Sequence, residues 1–246
     1  MHNLYNKLKK YSLQDAIYFE EQDRQFLALK KLWTSPQPSP LQEREQDVWN
    51  YLFLIIANAL VCYQLSWKWE DYWEEFSKEL KNKKFSNFFE IYNFFKNFLA
   101  SSKNNKRFVK IKLNRIKKLE KFYADFLWKI EFFYKNMDKL NLELAKIMNQ
   151  KKDAKTIVFT VKMFSYWARN IFWFREFPKE IMIPIDSRLK KLFYKFSGEP
   201  QGTSLQEIKN FYKELSEKLN IPLLHLDAIL WVNYEELMEK EILTFK

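Results

Sequence analysis

The sequence predicts an all-α fold, and three observations support that prediction. The 246 residues include only two glycines, Gly198 and Gly202, so turns that depend on glycine are scarce. Long stretches repeat their apolar residues at the 3.6-residue spacing of a helix. The apolar run at 52–63 is about 12 residues long, shorter than the roughly 20 that a membrane span needs. We therefore expect this run to form a buried core helix and few or no strands.

In chain order, the helical spacing and the breaks between periodic stretches define ten segments. Three alternate prolines at 36, 38 and 40 forbid helix, so residues 34–46 are expected to form a Pro-rich surface insertion. Further breaks at 177–184 and 197–202 contain proline and glycine and bracket a short helix. The expected helices are 4–32, 46–65, 69–81, 84–100, 112–136, 138–149, 155–174, 187–197, 204–219 and 223–240.

The formal net charge of +11 favours a polyanionic partner, either nucleic acid or an acidic membrane surface, although solubility alone would also account for it. Aromatic residues make up 19% of the chain, and rings combined with basic charge suit exposed nucleobases, while many of these rings must belong to the core. The single Cys62 cannot form an intramolecular disulfide, and we expect it to be buried and inert. The N-terminus has no apolar signal region, so export is not expected and a cytoplasmic protein is.

Several kinds of site are excluded by composition. Phosphate-binding P-loops, dinucleotide fingerprints and nucleophile elbows need glycines at fixed offsets, which two glycines near the C-terminal end cannot supply. His2, His225 and Cys62 do not make a structural zinc set, so no metal is expected, although a carboxylate-bound magnesium stays open.

The strongest local positive charge lies between residues 103 and 121, where Glu120 is the only acid. Such a segment could follow a phosphate backbone, or it could be a solvated loop and helix face, and both interpretations stay open here. Its basic residues are Lys103, Lys106, Arg107, Lys110, Lys112, Arg115, Lys117, Lys118 and Lys121.

Lys155 heads the amphipathic run 155–163, and Asp153 occupies the expected N-cap position before it. The positive end of a helix dipole disfavours a protonated amine, and a free amine can attack a sugar carbon or form a Schiff base. The spacing also puts Lys155, Phe159 and Lys162 on one helical face. A snorkelling lysine beside a core phenylalanine would give the same pattern.

Two carboxylates attract notice further along the chain. Asp186 follows Ile-Pro-Ile and is expected to cap the helix that starts at Ser187, a role compatible with catalysis. Asp227 enters an otherwise apolar helical face one turn before Trp231, and a buried acid needs a partner.

These residues resemble the archaeal 8-oxoguanine DNA glycosylases, the AGOG family, within the helix-hairpin-helix superfamily. The resemblance covers most of the chain and departs from the superfamily at the hairpin 149–154, which has no glycine. It is carried by KTIVFTVK at 155–162, IPIDSR at 183–188, IPLLHLDAILW at 221–231, ALVCYQL at 59–65, EDYWEEF at 70–76 and, more faintly, DRQF at 23–26.

The resemblance implies a single unit, 1–246, of two interleaved helical lobes with the active site in the cleft between them, and a hairpin with the start of the catalytic helix at 149–163. It implies a monomeric, bifunctional DNA glycosylase and AP lyase that removes 8-oxoguanine from double-stranded DNA without a cofactor. Lys155 would attack C1′ and form a Schiff base, Asp186 would assist, and β-elimination would nick the strand. The base would be held by Gln25, Trp73, Phe159, Lys162, Asp227 and Trp231, and the DNA by Lys103, Lys106, Arg107 and Lys110.

Two alternatives come from other classes of protein. A non-catalytic helical protein that binds single-stranded DNA or RNA would use the same basic segment and rings. A peripheral membrane protein would use basic amphipathic helices, but this leaves Asp186 and Asp227 without a purpose.

Overall fold

The computed structural model describes residues 1–33 and 41–239, and over these ranges the chain forms fifteen α-helices and no strand. The all-α prediction is confirmed for that part of the chain. Of the predicted insertion at 34–46, residues 34–40 lie outside the described residues, and the backbone of α4 already begins at Leu41. Within the described ranges, no helix has the length and apolar character that crossing a membrane requires.

The chain divides into two compact units. Unit 1 consists of Met1–Asp23 and Phe177–Lys246, and unit 2 of Arg24–Glu176. Unit 1 contains α1 (His2–Leu8), α2 (Leu13–Gln22), α12 (Ser187–Ser197), α13 (Leu205–Leu219), α14 (Leu223–Val232) and α15 (Tyr234–Met238). Unit 2 contains α3 (Arg24–Trp33), α4 (Leu41–Val61), α5 (Trp69–Leu80), α6 (Phe88–Ser101), α7 (Val109–Lys117), α8 (Glu120–Trp128), α9 (Ile130–Lys135), α10 (Met137–Met148) and α11 (Lys155–Ala168).

Unit 2 is built around α4, whose apolar run was expected to be a core helix. Every residue from Leu52 to Cys62 has no exposed surface, which confirms that expectation. Helix α11 packs on α4, and α5 packs on α3. Cys62 is a buried free thiol, as predicted, and burial raises its pKa above the ordinary value, so it stays protonated.

Unit 1 packs α14 against α2, with α1, α12, α13 and α15 completing its core. Inside it, the fully buried Glu20 and His225 form a polar contact, with 2.8 Å between Oε1 and Nδ1. The backbone N–H of Phe177 donates to Nε2 of His225 at 3.1 Å. Because Nε2 accepts a hydrogen bond, the proton of the imidazole lies on Nδ1 and is donated to Glu20. This pair therefore fixes α14 to α2 and to the segment that begins at Phe177.

Some long helices predicted from spacing are wrong, because turns without glycine or proline interrupt them. The predicted 4–32 is three helices, since Ser12 and Asp15 form a capping box that starts α2, and α2 ends at Gln22. The predicted 112–136 is also interrupted, at Leu119 and Lys129. The predicted 155–174 ends at Ala168, and the predicted 223–240 breaks after Val232.

Candidate active site

The hairpin between α10 and α11 is closed by Asn149 instead of glycine. Asn149 has a φ of 50°, in the left-handed region that asparagine tolerates better than other side chains. Its N–H donates to the carbonyl of Lys146, and the N–H of Gln150 donates to the carbonyl of Ala145. These two bonds satisfy the last carbonyls of α10 in a Schellman arrangement. The left-handed conformation of Asn149 therefore fixes the turn that leads into α11.

Lys155 is the first residue of α11, as the spacing predicted, but its cap is not the predicted one. Ala154 is the N-cap and provides no side-chain hydrogen bond, so the prediction that Asp153 caps this helix is wrong. The chain enters α11 one residue later than that prediction requires. The N–H groups and the positive dipole end of the helix start therefore lie beside Lys155, and Ala154 itself contributes no side-chain cap.

The aromatic ring of Trp69 lies beside Lys155. Nζ of Lys155 is 4.5 Å from the ring centroid of Trp69, the first residue of α5. Trp69 in turn meets the ring of Phe159 edge to face, with centroids 5.0 Å apart and an interplanar angle of 87°. Trp73, one turn further along α5, lies against Phe159 at 6.2 Å but has no exposed surface. Half-buried Trp69, which the sequence did not single out, therefore offers the ring that reaches the amine.

The predicted pocket residues Lys162 and Gln25 also lie in unit 2 and are almost fully buried, at 3% exposed each. Nζ of Lys162 lies 5.3 Å from the ring centroid of Tyr166, one turn later on α11. Gln25 is the second residue of α3, whose start is tied to α5 because Arg24 forms ion pairs with Asp71 and Glu74. The structure therefore places Gln25 on a helix end that is anchored to the helix of Trp69.

In unit 1, Asp186 is the N-cap of α12, as predicted. Its Oδ1 accepts hydrogen bonds from the N–H groups of Arg188 and Leu189, both at 2.9 Å. Among the described residues, no hydrogen bond reaches its Oδ2, so one oxygen holds the helix and the other is available for chemistry. Capping and catalysis are therefore compatible at this carboxylate.

The other predicted residues of unit 1 lie on α14. Asp227 is 6% exposed, and Trp231 stacks with the guanidinium of Arg188, whose Cζ is 3.8 Å from the ring centroid. Burial, and then the negative charges of Asp186 and Asp227, hold the pKa of Tyr212 well above its ordinary value. Both carboxylates thus act on one buried phenol, whose hydroxyl donates to the carbonyl of Leu189 at 2.6 Å.

The predicted DNA-binding residues lie in the loop between α6 and α7 and at the start of α7. This basic loop is Lys103, Lys106, Arg107 and Lys110, and all four side chains are exposed. The carboxylate of Glu75 holds the loop, since it accepts from the N–H of Lys103 at 2.8 Å and from Nδ2 of Asn104 at 2.7 Å. Because Glu75 belongs to α5, the helix that carries Trp69 also positions the basic loop.

A buried lysine fixes the same loop from inside. Lys112 has no exposed surface and donates from Nζ to Oδ1 of Asn105, whose Nδ2 donates to the carbonyl of Val61 at 3.2 Å. Lys112 also lies 4.9 Å from the ring centroid of Tyr63. The basic segment at 103–121 therefore contains two kinds of cation. The cations of the basic loop are exposed to solvent, whereas Lys112 is buried and holds the loop in place.

Phe108 lies between the exposed cations of the basic loop in an unusual conformation. It is 55% exposed, and its φ is 58°, a left-handed conformation that is strained for a bulky side chain. Of the described non-glycine residues with positive φ, it alone is apolar, the others being Gln64, Asn82, Asn149 and Asn220. Exposure and strain both cost stability, so this ring is a candidate for function.

Sequence reasoning missed Trp69, Tyr212 and Phe108. Trp69 and Trp73 lie four residues apart and so share one face of α5. This spacing could have predicted that both rings lie near the same site. No sequence signal marks Tyr212 or the strain at Phe108, because both depend on tertiary packing.

Comparison with known proteins identifies a family model and several relatives. A family model described as AGOG: N-glycosylase/DNA lyase matches residues 5–244. The N-glycosylase/DNA lyase of Nanoarchaeum equitans is 40% identical, over 91% of this chain and 86% of that protein. The N-glycosylase/DNA lyase of Thermococcus kodakarensis is 36% identical, over 91% of this chain and 80% of that protein.

A solved structure shares the fold. The crystal structure of 8-oxoguanosine-complexed Pa-AGOG, the 8-oxoguanine DNA glycosylase from Pyrobaculum aerophilum, aligns with a TM-score of 0.76. The alignment covers 97% of this chain and 89% of that one at 21% identity.

Proposed function

The chain belongs to the AGOG family of N-glycosylase/DNA lyases, and on that premise we propose that it excises 8-oxoguanine from double-stranded DNA and nicks the strand through a Schiff base on Lys155. Family membership favours this enzymatic interpretation over a non-catalytic nucleic-acid-binding protein. The observation that carries the residue assignment is the position of Lys155, which is the first residue of α11, directly after the hairpin, with its amine against Trp69.

In the proposed reaction, the free amine of Lys155 attacks C1′ of the sugar, and the C1′–N9 bond breaks. The proton that the amine loses moves to the departing base. Opening of the sugar ring then gives the Schiff base, and loss of a proton from C2′ expels the 3′ phosphate by β-elimination. No redox step occurs, so the protein's own side chains are sufficient for the chemistry.

Asp186 is proposed to assist Lys155. An unbonded carboxylate oxygen can take the proton of the amine or stabilise positive charge that develops on the sugar. The geometry of the cap supports this role, because the helix is held by Oδ1 alone. Asp186 lies in unit 1 and Lys155 in unit 2.

Recognition of the base is proposed to depend on an acceptor for the N7–H that 8-oxoguanine has and guanine lacks. Guanine would leave such an acceptor buried without a partner, which costs free energy and so rejects the normal base. Gln25 and Asp227 supply acceptor oxygens and are nearly buried, at 3% and 6% exposed. Phe159, Lys162, Trp73 and Trp231 are proposed to complete the pocket.

DNA is proposed to bind along the basic loop, where the exposed cations would neutralise phosphates and release counterions. Phe108 lies among these cations and is proposed to enter the base stack, since apolar side chains that insert between base steps stabilise distorted duplexes. Extrusion of the lesion costs stacking energy, which such a ring would partly offset. We further propose that the enzyme works as a monomer in the cytoplasm, associated with the nucleoid.

The proposal is tested with a duplex that carries a single 8-oxoguanine. We expect released base and a strand nicked 3′ to the lesion, with an undamaged duplex left intact. A duplex that keeps both its damaged base and its strand would contradict the proposed substrate.

A further inference from the structure

The indole ring of Trp69 contacts the amine of Lys155. Its centroid lies 4.5 Å from Nζ of Lys155, within the distance at which a ring attracts an ammonium. The same ring meets Phe159 edge to face at 5.0 Å. Since Lys155 and Phe159 are one turn apart on α11, Trp69 contacts two successive positions of one helical face.

The position of Trp69 is set by α5 and not by Lys155. Helix α5 is bonded to its neighbours in unit 2, because the hydroxyl of Tyr72 donates to Oδ1 of Asn58 on α4. The hydroxyl of Ser77 likewise donates to the carbonyl of Ala28 on α3 at 2.6 Å. The indole of Trp69 is therefore held next to the amine by a helix that is bonded to α3 and α4. Such support from neighbouring elements is typical of a preformed site.

The two neighbouring tryptophans do not share this geometry. Trp67 is 71% exposed and has no ring contact among the residues that the structure describes. Trp73 has no exposed surface and meets Phe159 from the interior. Trp69 is thus distinguished from both by its contact with the lysine.

We propose that Trp69 is a positioning residue that acts through Lys155, an inference that rests on the proposed role of Lys155 as nucleophile. A lysine side chain has many rotamers, and a ring contact restricts Nζ to one region before the substrate arrives. The negative face of the ring also stabilises the ammonium over the free amine, in opposition to the dipole at the start of α11. The ring contact therefore favours an oriented ammonium at rest, and this ammonium passes a proton to a base, for which the Asp186 carboxylate is proposed, before the amine attacks C1′.

The first test uses no DNA. Formaldehyde with a borohydride reductant methylates only free amines, because the amine attacks the aldehyde, water leaves, and the reductant reduces the resulting Schiff base. Peptide mass spectrometry reports the methylation rate of Lys155 itself. Trp69→Leu should raise the methylation rate of Lys155 about threefold or more, since the ammonium is no longer stabilised by an aromatic ring. The methylation rate in Trp69→Phe should lie between those of Trp69→Leu and wild type. Trp67→Leu is the matched control and should leave the rate unchanged.

The second test separates orientation of the lysine from direct contact with the base. In single-turnover assays, Trp69→Leu should slow base release about tenfold, because Nζ is no longer held in place. Its affinity for an 8-oxoguanine duplex, measured in a Lys155→Gln background, should match that of Lys155→Gln alone.

The outcomes distinguish this inference from the proposed function. Methylation of Lys155 that is equal in wild type and Trp69→Leu would overturn the role of the ring, as would a loss of lesion affinity in the Lys155→Gln background. If wild type leaves lesion DNA intact, the proposed substrate fails, yet the methylation comparison still decides whether Trp69 positions Lys155.

Discussion

Lys112 donates a hydrogen bond from its buried Nζ to the side-chain oxygen of Asn105, and this pair joins α7 to the loop that presents the exposed cations. Neither partner contacts solvent. Because the loop is also held by Glu75, its shape is built into the core of unit 2.

The first prediction concerns stability and pH. Burial lowers the pKa of Lys112 to about 8 from 10.5, so between these values the unfolded chain binds a proton that the folded chain has released. The free energy of unfolding therefore rises with pH in this window, by about 2 kcal/mol between pH 8 and 9.5, and the full penalty applies below pH 8. Urea unfolding should show this rise in wild type relative to Lys112→Met. Parallel pH profiles for the two proteins would show that Lys112 keeps an ordinary pKa.

The second prediction separates the two roles of Asp186. Asn caps helices about as well as Asp, so Asp186→Asn should keep its stability, whereas Asp186→Ala should lose about 1 kcal/mol. Both variants lack the carboxylate charge, and both should nick lesion DNA about a hundredfold or more slowly. Thermal denaturation and single-turnover nicking measure the two effects. Nicking at the wild-type rate by Asp186→Asn would reduce Asp186 to a helix cap.

The third prediction concerns the strained ring of Phe108. Asn tolerates the left-handed conformation, so Phe108→Asn should stabilise the protein by about 0.5–1 kcal/mol while removing the ring. Loss of base stacking should weaken binding to a lesion duplex about tenfold. The control is Phe89→Asn, which removes a ring that is 70% exposed in the first turn of α6. Unchanged affinity in Phe108→Asn would exclude contact between this ring and DNA.

The fourth prediction tests the hairpin that precedes Lys155. Asn149→Ala should destabilise the protein by about 1 kcal/mol, because alanine is strained at a φ of 50°, whereas Asn149→Gly should be neutral or better. Asn149→Ala should also slow nicking, since the start of α11 shifts. Asn82→Ala, at a φ of 63° outside the hairpin, should show the strain alone. Equal nicking by both alanine variants would mean that the hairpin does not position Lys155.

The sequence was sufficient for those helices whose ends carry a chemical signal. Asp186 caps α12 and Ser204 caps α13, and both helices begin within a residue of the prediction. The breaks at Leu119 and Lys129 carry no glycine, proline or capping side chain, so spacing alone extended the predicted helix through them. The Ser12–Asp15 capping box has a recognisable sequence pattern. Use of that pattern would have predicted a break in the first helix at Ser12.

For the site, the sequence could identify residue types and the helical faces they share. It could not identify which aromatic ring contacts which charged side chain. Lys155 and Phe159 follow from their spacing on α11, and Asp186 follows from its cap. The choice of Trp69 over Trp73 as the partner of the amine depends on how α5 packs on α3 and α4. The separation of buried Lys112 from its exposed neighbours likewise depends on the path of the loop.

The most direct test of the central claim is borohydride trapping on a duplex with one 8-oxoguanine, comparing wild type with Lys155→Gln. Lys152→Gln is the matched control, because it removes an exposed amine three residues before Lys155. A covalent adduct that depends on the lesion, persists in Lys152→Gln and is absent in Lys155→Gln is the predicted result. An adduct that persists in Lys155→Gln would assign the nucleophile to another amine and contradict the account.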